Sequence, residues 1–214
     1  MGQKKSRKAI HTTLHNPTIK PFANACEKNK EPILSVLKEL FNESGLVLEL
    51  GSGTGQHAIY FADKLLHLKW APTDLADKIA GMQMWIDEAA ISRIQQPCIL
   101  DLLSNDWPIN QADYIFTANT IHYVSWKHIE AMFAGVERVL AKGGIFAQYG
   151  PFNYAGKFTS ESNAKFDAWL KSEDPSRGIK NFEDLENLAK NNGMQLLKDY
   201  AMPSNNRVLA WTKK

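Results

Sequence analysis

The sequence predicts an α/β fold: a single doubly wound Rossmann-like domain with a mostly parallel seven-stranded sheet and an antiparallel C-terminal hairpin. Short apolar runs alternate with helical periodicity between residues 45 and 150, which is typical of parallel strands joined by crossover helices. The last two apolar runs, 194–203 and 207–214, are separated by only three residues. Because a crossover helix needs a longer connection, these two strands must pair antiparallel.

The first part of the chain predicts a helix, a strand, a glycine turn and a second helix. Apolar residues recur at helical spacing over 31–41, and Pro32 is expected in the first turn of that helix, where proline is tolerated. A short buried strand is expected at 47–50. After the glycines, residues 57–66 again have helical periodicity.

The same alternation continues to residue 150. Asp74 and Asp101 fall at the C-terminal ends of the next two predicted strands. Ser125 is placed to cap a later helix, and Gly143 and Gly144 are expected to close it. The four strands predicted in this region are 68–75, 97–103, 112–119 and 143–150.

No linker, internal repeat or low-complexity tract separates a second domain. We expect a basic flexible tail and lead-in over 1–21 and one domain over 22–214. Residues 151–180 are too many for a simple connection, so we expect this segment to lie over the site as a lid. Helices are expected around 166–170 and over 182–189.

The charge distribution disfavours nucleic acid as a substrate. Four basic residues lie in the first eight, and without them 21 basic residues stand against 23 acidic ones. Such a chain lacks the clustered lysine and arginine that binding to a phosphate backbone demands. Contact of the tail with RNA or an anionic surface stays open, although a solvated terminus is the commoner interpretation.

Other features of the sequence favour the cytoplasm. Cys26 and Cys98 are isolated and form no metal-binding or disulfide pattern. No apolar run follows the tail as in a signal peptide, and none is long enough to span a membrane. Residues 1–6 match the short pattern for N-myristoylation, which matters only in a eukaryote.

A glycine-rich turn follows the first strand. Gly51, Gly53 and Gly55 occupy alternate positions, and bare backbone of this kind allows a sharp turn and close approach of a ligand. A nucleotide-like ligand is therefore expected, since a turn without a ligand would rarely need three glycines. The dinucleotide pattern GxGxxG is incomplete, because Gln56 stands at the third glycine position.

Glu49, two residues before the glycines, indicates the charge of that ligand. NAD and FAD bring a pyrophosphate, which a neighbouring carboxylate repels, whereas S-adenosylmethionine (SAM) brings an ammonium and a sulfonium. The run 49–55, with this acid, Ser52 and the glycines, resembles the first motif of class I SAM-dependent methyltransferases. The closing antiparallel hairpin is also similar to the end of the methyltransferase fold.

Two further acids fall where that family needs them. Asp74 is placed to bind both ribose hydroxyls, and Asp101 is placed to accept a hydrogen bond from the adenine amino group, with Leu102 beside it. Either acid alone is more often a helix cap or a turn residue. The carboxyl ends of successive parallel strands meet at one crevice, however, where Asn119 is also expected to contact the cofactor or the acceptor.

Several segments resemble one smaller branch, the methyltransferase-like proteins grouped with animal methyltransferase-like protein twenty-six. The resemblance extends from residue 22 to the C-terminus, and members often have alanine at the position of Gly51. It implies SAM as cofactor and S-adenosylhomocysteine as product, but no particular substrate. The segments that carry it are 25–34, 119–122, 149–152, 159–167, 174–179 and 202–206.

Methyl transfer is an in-line displacement, so the protein mainly positions the acceptor, excludes water and removes a proton from weak nucleophiles. His122 is the expected base, with a pKa near neutrality, or else a spacer that orders its loop. Tyr149 is expected to orient the acceptor or to anchor its strand end. Asn205 and Asn206 reach the acceptor pocket or provide positive φ angles for the turn.

The covering segments supply the remaining candidates. Asn29, with Asn24 and Glu27, is expected at the methionine end of the cofactor. No metal is expected, because Asn119 and Thr120 stand where catechol-type methyltransferases place acids. The polar residues of the lid that are expected to select the acceptor are Asn163, Asp167 and Arg177.

The favoured function is therefore SAM-dependent methylation of a small molecule. Three alternatives stay open: a methyltransferase of RNA or protein, a SAM-binding protein without catalysis, and a nicotinamide-dependent oxidoreductase. The oligomeric state is also open.

Overall fold

A computed structural model describes residues 19–214 of the chain. The predicted tail and lead-in, 1–21, lies outside the described residues as far as residue 18, and the myristoylation pattern at 1–6 lies wholly outside them. The helices are α1 (Asn24–Leu40), α2 (Gln56–Lys64), α3 (Ala76–Ala89), α4 (Trp126–Val139), α5 (Glu161–Glu173) and α6 (Phe182–Asn191). The strands are β1 (Gly45–Leu50), β2 (Leu68–Asp74), β3 (Cys98–Ile99), β4 (Ala112–Ala118), β5 (Leu140–Gly150), β6 (Phe152–Asn153), β7 (Lys180–Asn181), β8 (Met194–Met202) and β9 (Asn206–Lys213).

The main sheet has seven strands in the order β3-β2-β1-β4-β5-β9-β8. The first five are mutually parallel, whereas β9 is antiparallel to both β5 and β8. This arrangement confirms the predicted fold class. The chain moves outward in one direction from β1 and in the other direction from β4, so the crevice at their carboxyl ends is the place where ligands bind in such sheets.

Alternating side chains of the central strands build two cores, one on each face of the sheet. In β1, Val47 packs into the core beneath α1, α2 and α3, while Leu48 and Leu50 pack into the core beneath α4 and α6. The largest fully buried side chains are Trp70 in the first core and Trp211 in the second. Burial of a large apolar side chain contributes about 2 to 3 kcal/mol, so these layers hold the strand ends in place.

The first helix begins earlier than its apolar periodicity indicates. It begins at Asn24, so Pro32 lies inside the helix and not in its first turn. Residues 24–30 are mostly polar because only one side of this extension is covered, which is why the sequence pattern does not predict it. The extension lays Ala25 and Cys26 over the glycine turn.

Two other elements differ from their predicted bounds. The third strand contains only Cys98–Ile99, so Asp101 lies just beyond its end. Helix α4 ends at Val139, and the two glycines expected to close it lie inside β5. Gly143 has φ of 77°, and the register of β5 against β4 shifts in this region, so these glycines form a bulge.

The segment 151–180, which is predicted as a lid and is called the lid below, has its two ends joined to each other by a pair of short strands. Strands β6 and β7 pair parallel, Phe152 with Lys180 and Asn153 with Asn181, in a small second sheet that the sequence pattern does not predict. Helix α5 lies between these strands. Within residues 19–214, no helix combines the length and the apolar character that a membrane span requires.

Candidate functional site

Two glycines of the turn after β1, Gly51 and Gly53, have different surroundings. Gly51, Gly53 and Gly55 all have positive φ, at 69°, 58° and 84°. A Cβ atom on Gly51 would lie 2.6 Å from Thr120 Oγ1, so this chain needs glycine where the resembling branch often has alanine. A Cβ atom on Gly53 would meet nothing within 4 Å, because this residue borders an open cavity.

Three backbone N–H groups of the turn are already bonded within the protein. Ser52 N donates to Thr73 O at 2.9 Å, and Gly55 N donates to Ser52 O at 2.9 Å. Gly53 N donates to Asp74 Oδ2 at 2.7 Å. Phosphate groups bind such turns through free N–H groups, and these three are occupied.

Asp74 ends β2 at the edge of the same cavity. Its second oxygen, Oδ1, accepts a hydrogen bond from Leu75 N at 2.7 Å. Burial raises the pKa of this carboxyl, while the hydrogen bonds from Gly53 and Leu75 act in the opposite direction. Two backbone donors therefore fix the orientation of the carboxylate, and its remaining lone pairs face the cavity.

Glu49 lies beneath the turn instead of facing the cavity. The residue is 1% exposed, and its Oε2 accepts a hydrogen bond from Trp70 Nε1 at 2.7 Å. Burial raises the pKa of this carboxyl to about 7. Glu49 lines neither the cavity above the turn nor the two cavities beside it, so its predicted effect on a ligand would act through charge and not through contact.

The cavity above the turn has a volume of about 760 Å³ and is lined by Ser52, Asp74, His122 and Arg177 among others. A neighbouring cavity of about 330 Å³ shares Gly51 and Asp74 with it and is also lined by Asp101 and Leu102. Asp101 Oδ1 accepts a hydrogen bond from Leu103 N at 2.9 Å. The predicted cofactor residues at the ends of β1, β2 and β3 thus meet at one crevice, except for Glu49 and for Gly55, which packs against Met82.

A third cavity, of about 350 Å³, lies beside the first. We call it the acceptor cavity, because Tyr149 and Asn206, which are expected from the sequence to contact an acceptor, line it. The residues that line both cavities are Ala25, Asn119 and Phe166. Asn119 has φ of 59° and donates its N–H to Tyr149 O at 2.9 Å. Asparagine tolerates this left-handed conformation better than most residues, and here it places the amide side chain where the two cavities join.

His122 lines the larger cavity but does not have the pKa expected from the sequence. The residue is 3% exposed, and its ring packs edge-on against Phe166 at 5.2 Å between centroids. Burial, with a smaller contribution from Lys180, lowers its pKa to about 3. The expected titration near neutrality is therefore wrong, because the imidazole stays neutral throughout the physiological range. The spacer role has direct support, since His122 O accepts a hydrogen bond from Gly178 N of the lid at 3.0 Å.

Tyr149 belongs to a buried polar group that the sequence analysis did not identify as a whole. Burial raises the pKa of Tyr149, while the Asn29 side chain beside its hydroxyl lowers it. Asn29 Oδ1 lies 2.7 Å from His57 Nε2, and burial lowers the pKa of His57 to about 4. His57 follows the glycine turn at the start of α2, and an unexplained polar residue on an apolar helix face was the only sequence signal for it.

A second polar group joins the start of α1 to the start of α2. Gln56 Nε2 donates to Glu27 Oε1 at 2.8 Å, and Gln56 Oε1 accepts from Ala23 N at 2.7 Å. Glu27 thus faces Gln56, and neither Glu27 nor Asn24 lines the cavities above the turn. Gln56, which stands at the third glycine position of the dinucleotide pattern, therefore joins the start of α2 to the start of α1.

Adjacent residues of the turn between β8 and β9 have different roles. Ser204 and Asn205 have positive φ, at 59° and 57°, so Asn205 has the structural role. Asn206 has ordinary extended backbone and lines the acceptor cavity, with its Nδ2 donating to Pro203 O at 3.3 Å. The chain directions predicted for this hairpin are confirmed, since the turn lies at the carboxyl end of β5.

The lid candidates occupy three different environments. Asn163 lines the acceptor cavity and donates through Nδ2 to Asn205 O at 3.2 Å. Arg177 lines the larger cavity. Asp167 lines neither, because its carboxylate accepts from Ile179 N at 2.7 Å and from Lys171 Nζ at 2.6 Å. Asp167 therefore holds α5 to the end of the lid, which corrects its expected part in acceptor selection.

Comparison with known proteins identifies both a family and a fold. A family model described as "Protein of unknown function (DUF938)" matches residues 20–213. The structure of an O-methyltransferase family protein from Burkholderia thailandensis is 14% identical, with a TM-score of 0.78, and the match covers 89% of this chain and 58% of that one.

Two further solved structures have the same fold. The SAM-dependent methyltransferase SibL, in its apo form, is 18% identical with a TM-score of 0.75, and the match covers 88% of this chain and 55% of that one. CalO1, a methyltransferase in calicheamicin biosynthesis in its SAH-bound form, is 15% identical with a TM-score of 0.71, covering 87% and 54%. The chain spans little more than half the length of these proteins.

Proposed function

This chain belongs to the family described as "Protein of unknown function (DUF938)", and we propose that it is a SAM-dependent methyltransferase that methylates a small molecule. The observation that carries the proposal is the glycine turn, in which the N–H groups of Ser52, Gly53 and Gly55 are bonded internally and beside which Asp74 lines the same cavity. Such a turn suits a nucleoside with a positive charge better than a pyrophosphate, which needs free N–H donors and is repelled by a nearby carboxylate. The fold of the solved methyltransferases supports the same conclusion.

The donor set of the crevice fits SAM. Asp74 would hold the ribose hydroxyls, because two backbone N–H groups keep its carboxylate at the cavity edge. Asp101 and Leu102 would hold the adenine in the neighbouring cavity. Gly53 leaves the space that a cofactor lying against the turn requires. The more specific likeness to the branch grouped with methyltransferase-like protein twenty-six stays a prediction.

When bound, SAM would supply a methyl group activated by its sulfonium. The residues of this chain would then act mainly by position. Asn119 would orient the acceptor, because it stands where the two cavities meet, and Tyr149 and Asn206 would contact it from the acceptor side. The neutral His122 would accept a hydrogen bond from the acceptor. With a pKa of about 3 it would be a weak base, so it would hold the acceptor's proton poorly.

A small acceptor suits the dimensions of the acceptor cavity. Its volume is about 350 Å³, near the lower end of the range for small-molecule sites. Helix α1, the lid and the turn after β8 each contribute to its lining, so a bound acceptor would be shielded from water. The absence of a metal stays a prediction.

Two measurements test the proposal. A crystal structure with S-adenosylhomocysteine should place its ribose at Asp74 and its sulfur facing Asn119. An assay of S-adenosylhomocysteine release with a panel of hydroxylated and amine acceptors should then detect turnover. Binding without turnover for every acceptor would favour the SAM-binding protein without catalysis, and a dinucleotide bound at Gly53 would overturn the proposal.

A further inference from the structure

We propose that the acceptor is a planar organic carboxylate and that Lys28 of α1 is the residue that selects it. This inference rests on the proposed function for the identification of the cavity as an acceptor site. Its own basis is the charge and shape of the acceptor cavity.

The acceptor cavity has a positive charge and no negative one. Among its lining residues in the described part of the chain there is no aspartate or glutamate, and Lys28 is the one charged side chain. The other polar lining groups are amides and hydroxyls, which are neutral at every pH of interest. An anion that enters this cavity therefore meets a cation without repulsion from a carboxylate.

Lys28 differs from its neighbours in having no acidic partner. Lys30, in the next position but one, pairs with Glu27, whose other oxygen accepts from Gln56. Within residues 19–214, no carboxylate lies within ion-pair distance of Lys28. The charge of Lys28 is thus available to a ligand. The two acids nearest to it on α1 have other partners, since Glu27 binds Lys30 and Glu31 accepts a hydrogen bond from the Tyr60 hydroxyl.

Two acids of the lid, Glu161 and Asp167, adjoin lining residues in the sequence, but neither lines the acceptor cavity. Asp167 binds Lys171 and the backbone of Ile179, so it adds no free negative charge near the cavity. A further cation, Lys180, is half-buried on the lid, and its charge contributes to the lowered pKa of His122. Lys180 therefore adds a positive charge near His122 on the lid side, which favours an anionic acceptor.

The walls of the cavity favour a flat molecule. Pro32, Pro151 and Pro203 present rigid ring surfaces, and Phe166 presents an aromatic ring. Flat apolar groups pack well against such surfaces. With a volume of about 350 Å³, the cavity suits a molecule of one or two fused rings.

The test compares two probes that differ only in charge, 6-hydroxy-2-naphthoate and 6-hydroxy-2-naphthamide. Each is titrated calorimetrically into the protein saturated with S-adenosylhomocysteine. We expect the naphthoate to bind about fivefold more tightly than the amide at low salt, because a charged hydrogen bond is stronger than a neutral one. The preference should shrink as salt screens the charge.

The variant Lys28→Gln should remove this preference and leave the affinity for the amide unchanged. Lys38→Gln, which removes a lysine from the last turn of the same helix, is the matched control and should retain the preference. Equal binding of the two probes by the wild type, a preference that survives Lys28→Gln, or no binding of the naphthoate would each overturn the inference.

Titration of S-adenosylhomocysteine alone separates the two proposals. If it binds and the naphthoate shows no preference, the proposed function stands and the acceptor class is wrong. If it does not bind, the proposed function fails, and titration of the naphthoate into the protein alone still measures whether the cavity selects an anion.

Discussion

The two ends of the site are held in place by different means. At the cofactor end, backbone hydrogen bonds between β1 and β2 and the turn fix Gly53 and Asp74. At the acceptor end, side chains from α1, the lid and the turn after β8 form the lining and reach the sheet mainly at Asn119 and Tyr149. The cofactor end is therefore part of the sheet, whereas the acceptor end belongs to its covering segments.

This difference implies a division of roles. An end built from the sheet keeps one geometry, which suits a constant cofactor. An end built from covering segments changes with their sequence, which suits a variable acceptor. Mutations at the two ends should accordingly affect different measurements.

The largest expected effect is that of Asp74→Ala on SAM binding. The substitution removes the carboxylate that would hold the ribose and frees Gly53 N from its bond. We expect the dissociation constant for SAM to rise by a factor of about 100 or more, since charged hydrogen bonds contribute about 1.5 to 3 kcal/mol each. Calorimetric titration measures this, and Asp87→Ala on the exposed face of α3 is the control. A rise of less than about threefold in the dissociation constant would contradict the role of Asp74 in binding SAM.

Gly53→Ala tests whether the open space above the turn belongs to a ligand. Gly53 and Gly143 both have positive φ and no atom within 4 Å of an added Cβ, but Gly143 lies in β5 far from the cavities. Each substitution should cost about 1 kcal/mol of stability. Only Gly53→Ala should weaken SAM binding, by a factor of about 30. Equal affinities in the two variants would show that the space has no part in binding.

His122→Ala should affect turnover and not cofactor affinity. The ring contacts Phe166 of the lid, and the hydrogen bonds that hold Gly53 and Asp74 do not involve it. We expect kcat to fall by a factor of about 10 with SAM affinity within about threefold of the wild type. Because burial lowers the pKa of His122 to about 3, the dependence of wild-type kcat on pH should have no step near 6.5 from this residue. An equal loss of SAM affinity would show that His122 serves cofactor binding and not turnover.

Glu49→Gln gives the smallest expected effect and concerns stability. The pKa of Glu49 is about 7 in the folded protein against 4.5 for a free glutamate. Between these values the folded state keeps a proton that the unfolded state has lost, so the wild type loses stability as pH rises from 4.5 to 7. The variant should therefore gain at least about 1 kcal/mol over the wild type between pH 5 and pH 8 in urea unfolding. A constant difference across this range would contradict the burial of an ionisable carboxyl.

Much of the cofactor end can be predicted from the sequence because its residues follow strand ends. Asp74, Asp101 and Asn119 each come at or just after an apolar run, and parallel strands bring such positions to one edge. The orientation of Glu49 could not be predicted. Its place in β1 gives the face of the sheet but not its Trp70 partner, which depends on packing with the neighbouring strand.

Most of the acceptor end depends on contacts between segments far apart in the chain. Asn29 meets His57 and Tyr149 only after α1 and α2 have packed on the sheet. The pKa of His122 depends on the depth at which the lid buries it, which no local pattern reveals. Polarity alone suggests Asp167 for acceptor selection, yet this residue joins α5 to Ile179 at the end of the lid.

The most direct test of the central claim is a pair of calorimetric titrations of the wild type, one with SAM and one with NAD. The account predicts that SAM binds with a dissociation constant of about 10 μM or below and that NAD produces no binding heat, because the turn has an acid and occupied N–H groups where a pyrophosphate would lie. Binding of NAD without binding of SAM would contradict it.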